Sequence, residues 1–136
     1  MNRLQYILTA KTQYNIQSPF LFELYNEVLN SRLSREEKAR LGIAAGDKYG
    51  ELRYMIGDHY GASSLDVGTW DVDDLMSSRE GLIGMVRLPH RDRQSEERWH
   101  RLTQKKEVTL SVDLYDIGLI FTCNRLSKEN VILRCV

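Results

Sequence analysis

The chain has 136 residues, with 19 Lys+Arg against 19 Asp+Glu, so its formal net charge at neutral pH is zero. Hydrophobic residues make up 42% and charged residues 28%, a globular balance that excludes a disordered or collagen-like chain and fits one domain. Neutrality also excludes a whole-protein basic field for nucleic acid or anionic lipid. No apolar run approaches a membrane span and no signal-peptide core follows Met1, so a soluble cytoplasmic domain is expected. Cys123 and Cys135 make a poor disulfide framework and read as buried core thiols on neighbouring strands.

Residues 1–13 carry Leu4, Tyr6, Ile7 and Leu8 with few turn signals, which suits a helix packed on a neighbour. Ser18-Pro19 opens the first clear element, because serine caps a helix and proline fits its first position. Phe20, Leu21, Leu24, Val28 and Leu29 recur at helical period and predict a helix over about 18–31. Ser34-Arg35-Glu36-Glu37 is a capping-box pattern that starts a short helix to about Leu41, broken by the Gly42–Gly46 stretch. Tyr49, Leu52, Met55, Ile56 and Tyr60 predict another helix ending at Gly61.

The pattern then changes. Ser64-Leu65-Asp66-Val67-Gly68 reads as a buried strand running into a tight turn. Residues 71–79 suit a turn or two of helix, and Gly81 to Leu88 (GLIGMVRL) is a second strand stopped by Pro89. Asp92 caps a helix to about Gln104 with Trp99 and Leu102 inward. Val108, Leu110, Val112 and Leu114 alternate as a half-buried strand. The phase slips at Tyr115-Asp116, so a bulge or tight bend precedes a strand through Phe121. Asn124 to Asn130 reads as a turn, and Val131 to Val136 as a closing strand. Three N-terminal helices would pack on the sheet as a two- or three-layer α/β sandwich, residues 1–61 mainly helical and 62–136 sheet with one intervening helix.

Several of these segments resemble a family of bacterial class I S-adenosylmethionine-dependent methyltransferases. Tyr14-Asn15-Ile16-Gln17-Ser18-Pro19-Phe20 resembles the family's Y-x-I-x-S-P-F motif, which opens its N-terminal helix. Leu65-Asp66-Val67-Gly68-Thr69 is similar to the end of its first strand. His90-Arg91-Asp92 and the helix bearing Trp99 resemble its I-D-D-I-H-W-S segment, and VTLSVDLYDIGLIF (108–121) its last antiparallel pair. The resemblance implies a reduced Rossmann-like domain with a small mixed sheet and an antiparallel C-terminal strand pair. Only residues 69–80 separate Gly68 from Gly81, where the family would place its second to fourth strands and the acid that holds the cofactor ribose. A dozen residues is about the minimum for a crossover between parallel strands, so four or five strands can survive.

The resemblance puts Asp66, Gly68 and Thr69 on the cofactor and His90 near a substrate. Departures argue against both roles. Val72 stands where the loop needs a later glycine, and its β-branch blocks close backbone approach. Asp71, Asp73 and Asp74 crowd the place of the cofactor carboxylate, and Arg87 and Leu88 replace two acids. The expectation is a degenerate methyltransferase-like protein that has lost S-adenosylmethionine and catalysis and acts, if at all, through a protein partner. A reduced S-adenosylmethionine-dependent methyltransferase is the alternative.

Other clusters have plainer readings. Asp66, Asp71, Asp73 and Asp74 lack the glycine and closing glutamate of a calcium loop and suit a helix start, so no metal is expected. His59, His90 and His100 have no ligand spacing, and His90 reads as a strand-end histidine bonded to backbone. Gln94, Arg98, Arg101 and Lys105 form a basic stripe that reads as a solvated face, with Glu97 set to pair with Arg101, and nucleic acid is not an expected partner. Loss of the middle strands would leave the strand ending at Gly68 as a sheet edge, which predicts homodimerisation.

Overall fold

The computed structural model describes residues 1–10, 18–61, 65–67, 83–122 and 128–134. Helix α1 is Arg3–Thr9, capped by a reciprocal pair in which Gln5 N donates to Asn2 Oδ1 and Asn2 N to Gln5 Oε1. Helix α2, Pro19–Leu24, has Ser18 at its N-cap and Pro19 in its first turn. It continues as a π-helical turn over Tyr25–Leu29, where Asn30 N donates to Tyr25 O. The wider turn brings Tyr25, Val28 and Leu29 all inward.

Helix α3 (Arg35–Leu41) starts on Ser34 and stops at Gly42, whose φ of 73° suits glycine. The expectation that it packs on the sheet fails: none of its residues is buried, because REEKARL offers no apolar stripe. Helix α4 (Lys48–Tyr60) is capped by Asp47 and ends at Gly61. It buries Tyr49, Leu52 and Ile56. The N-terminal helix covers its own chain, through buried Tyr6, whose hydroxyl donates to Leu133 O.

Strands β1 (Leu65–Val67), β2 (Ile83–Arg87), β3 (Leu110–Asp113), β4 (Ile117–Phe121) and β5 (Glu129–Ile132) form one mixed sheet in the order β1-β2-β4-β3-β5. β1 pairs parallel with β2 and β3 with β5, while β4 runs antiparallel to both β2 and β3. Four strands therefore share a direction and β4 alone is reversed. Helix α5 (Arg93–Thr103) links β2 to β3, capped by Asp92, whose carboxylate accepts from Ser95 N at 2.8 Å.

Period-two alternation assigns the layers. Ile83, Met85, Leu110, Val112, Leu119, Phe121 and Val131 face α2 and α4 in the main core. Val86 and Ile120 face the other way, against Trp99 and Leu102 of α5. The molecule is a three-layer α/β sandwich, and β3 and β4 are buried along their whole length. The reading of β3 as half-buried is thus corrected, because α5 covers its second face.

The last strand is also corrected: it starts at Glu129, inside the expected turn. Polar Glu129 and Asn130 hid it, yet Glu129 N donates to Thr109 O, and Ser111 Oγ donates to Asn130 Oδ1 at 2.6 Å. Lys128 just before it donates to the carbonyls of Thr103, Lys105 and Val108, closing the end of α5. Cys123, Cys135 and the predicted helical turns at 71–79 lie outside the described residues.

Candidate active site at the carboxyl ends of the strands

The chain leaves β2 at Arg87 and β3 at Asp113 on the same edge of the sheet. Open α/β sheets bind ligands outside such carboxyl ends. Leu88 and Tyr115, in the two loops there, both have positive φ, 47° and 73°. Side chains other than glycine rarely adopt this backbone, and each instance costs on the order of 1–3 kcal/mol. The loops are tied together by Leu88 N donating to Asp116 O at 2.9 Å.

Between them lies His90. Its Nε2 is 2.5 Å from Asp113 Oδ2, and each side chain is only 6% exposed. The other carboxylate oxygen of Asp113 accepts from Tyr115 N at 2.9 Å, which holds the strained residue in place. The Tyr115 ring stacks on the imidazole with centroids 5.5 Å apart, and the Tyr6 ring packs against Tyr115 at 5.2 Å. His90 Nδ1 is buried and lies 3.5 Å from Glu96, whose carboxylate also takes the Met1 ammonium. Burial works against the imidazolium, but the hydrogen bond and charge of Asp113, with Glu96 behind them, raise the His90 pKa above its ordinary value.

His90 was expected to bond backbone; it bonds a carboxylate instead. The reason is geometric. Asp113 has the parity of Ser111 and points to the α5 side, so it is enclosed and requires a cationic partner. Sequence reading missed Asp113 because a half-buried β3 would have left it in water. Residues 111 and 113 between apolar positions were the available signal.

Asp66 lies in β1, in register with Gly84, whereas Gly68 and Thr69 are outside the described residues, as are Asp71, Val72, Asp73 and Asp74. Arg87 turns to the α4 side and lies over the Tyr49 ring at 3.6 Å, a cation–π contact. His59 is 3.2 Å from Glu23, tying α4 to α2, and His100 is exposed on α5. The expected Glu97–Arg101 pair is replaced by Arg93–Glu97 at 3.5 Å, since Glu97 turns toward the preceding helical turn. Among the described residues, no three metal-binding side chains gather, and no helix is long and apolar enough to cross a membrane.

No family model matches the chain, and neither the curated proteins nor the solved structures contain a significant match.

Proposed function

We propose that the chain is a methyltransferase-like scaffold that has lost S-adenosylmethionine turnover and works by binding. The observation that carries this reading is the closure of His90. A general base needs a free lone pair within reach of the substrate proton. Here Nε2 is engaged by Asp113 and the side chain is 6% exposed. Nδ1 is buried without a hydrogen-bond partner among the described residues, with Glu96 3.5 Å away, and the Tyr115 ring covers one face of the imidazole, so burial closes this nitrogen. The dyad does structural work, holding two strained loops together.

The sequence departures at Val72 and Asp71 add to this, as does Arg87, which stands in place of an acid and is spent on Tyr49. The reduced Rossmann-like domain belongs to the same proposal: a β2–α5–β3 crossover with one reversed strand between its ends is what a shortened doubly wound sheet would keep. The second reading, a reduced methyltransferase using Asp66, Gly68 and Thr69, draws on the parallel β1–β2 pair that carries Asp66.

Calorimetric titration with S-adenosylmethionine and S-adenosylhomocysteine decides between them. Folded protein is expected to give no heat at millimolar ligand. Saturable binding in the micromolar range, abolished by Asp66→Ala, would establish the second reading.

A further inference from the structure

A cavity of about 370 Å³ lies on the opposite side of the β3–β4 turn from His90, between α1, α4 and the carboxyl ends of β3 and β5. We propose that it binds a small amphipathic anion, a carboxylate or phosphate monoester with an apolar body.

The volume falls in the range of small-molecule sites, roughly 300–1,000 Å³. Its floor is apolar. Leu29, Leu52 and Ile117 are buried there, and Met55 and Leu114 are half-buried beside them. Water against such a surface has few partners, so an alkyl or aryl group would replace it favourably. Ile7, 43% exposed, adds an apolar lip on α1.

The mouth carries the opposite chemistry. Arg3, Arg32, Lys48 and Arg134 line it, against only Glu51 and Asp116. Both acids are already engaged. Glu51 accepts from Leu33 N at 2.8 Å and pairs with Lys38, which does not line the cavity. Asp116 pairs with Arg3 at 3.3 Å. Arg32 donates to the carbonyls of Leu29 and Ser31 and keeps its charge. Among the described residues Lys48 and Arg134 have no carboxylate partner. Among the described residues, positive charge thus outweighs negative around this apolar cavity, four cations against two acids. An anionic head between Lys48 and Arg134 with its apolar body on Leu52 and Ile117 satisfies both halves.

The test is an amide chemical-shift titration of the full chain with octanoate, octyl phosphate, octylammonium and inorganic phosphate. Octanoate or octyl phosphate is expected to saturate and to shift amides of Leu52, Leu114 and Ile117. Whichever binds tighter identifies the head group. Lys48→Gln and Arg134→Gln are each expected to weaken binding by up to about fivefold, the range of an exposed charge contact. Arg101→Gln, on α5, is expected to leave it unchanged. Both cavity substitutions are at exposed positions, so folding is retained.

Equal binding of octylammonium would overturn the charge argument, and equal binding of inorganic phosphate would overturn the apolar one. Absence of saturation by either octyl anion at millimolar concentration would overturn the proposal entirely. The outcome is independent of S-adenosylmethionine, whose titration is read separately.

Discussion

Gly118 of β4 lies directly under the indole of Trp99 from α5: a Cβ at position 118 would sit 2.6 Å from the ring. This close approach sets how tightly α5 covers the second face of the sheet, and hence how completely Asp113 is enclosed. Gly118→Ala must displace either a buried ring or the central strand, and is expected to cost about 1–3 kcal/mol in urea denaturation. A smaller ring should relieve the clash, so the penalty of Gly118→Ala is expected to shrink in a Trp99→Phe background. Strictly additive penalties would refute the contact as the cause.

Removing His90 leaves the Asp113 carboxylate buried without its partner, whereas removing Asp113 lets the enclosed imidazole shed its proton. His90→Ala is expected to destabilise the fold by about 3 kcal/mol at pH 6, and Asp113→Asn by less. The pH dependence has a definite sign. Because the folded pKa of His90 is raised, its contribution is fully present below the unfolded value of about 6.5 and is lost as pH rises through the folded pKa. Stability of the parent chain should therefore fall above pH 6.5 by at most about 1.4 kcal/mol per pH unit from this group. The histidine contribution to that slope should vanish in His90→Gln. An unchanged slope in the variant would assign the effect to another group.

Local signals in the sequence were strong where the chemistry was local. Ser18-Pro19, Ser34 and Asp92 open the helices expected of them, because a cap is decided within a few residues. The slip at Tyr115-Asp116 is a tight bend, with Leu114 N donating to Ile117 O. What stayed hidden depends on tertiary placement. The turn of the α2 helix into a π-helical turn at Tyr25 follows from burying Tyr25, Val28 and Leu29 together, and Tyr25 Oη donates to Arg134 O across the fold. Asp113 as the partner of His90 required knowing that α5 covers the far face of β3. The charged mouth of the cavity draws on α1, the segment before α3, α4 and Arg134 beyond β5, so no sequence window contained it.

Glu51 is the buried acid of α4, with its residue 6% exposed. It anchors the segment entering α3 by accepting from Leu33 N, and Lys38 balances its charge at 3.1 Å. Burial pushes its pKa up, but the Leu33 amide and Lys38 outweigh this and hold it below the ordinary value. Its contribution is present above the unfolded pKa of about 4.3 and is lost as pH falls through the folded value. Glu51→Ala is expected to cost about 2 kcal/mol near neutral pH, since it strands a partly buried amide and an ammonium. Glu51→Gln keeps an acceptor for Leu33 and should recover part of that loss. Chemical denaturation at pH 7 and pH 4 measures both, and equal losses in the two variants at pH 7 would remove the Leu33 bond from the account.

Among the described residues β1 ends the sheet on one side, paired with β2. An edge strand offers its outward amides and carbonyls to another strand unless something covers it. Edge pairing between two copies would be isologous, with β1 lying against β1 about a two-fold axis. Sedimentation equilibrium over a wide concentration range is expected to show a monomer–dimer equilibrium. Hydrogen exchange at 65–67 should slow as the dimer fraction rises, because pairing withdraws those amides from water. A monomer at every concentration, with exchange independent of concentration, would mean that the edge is covered within one chain. The binding role proposed for this scaffold would then fall to its other surfaces.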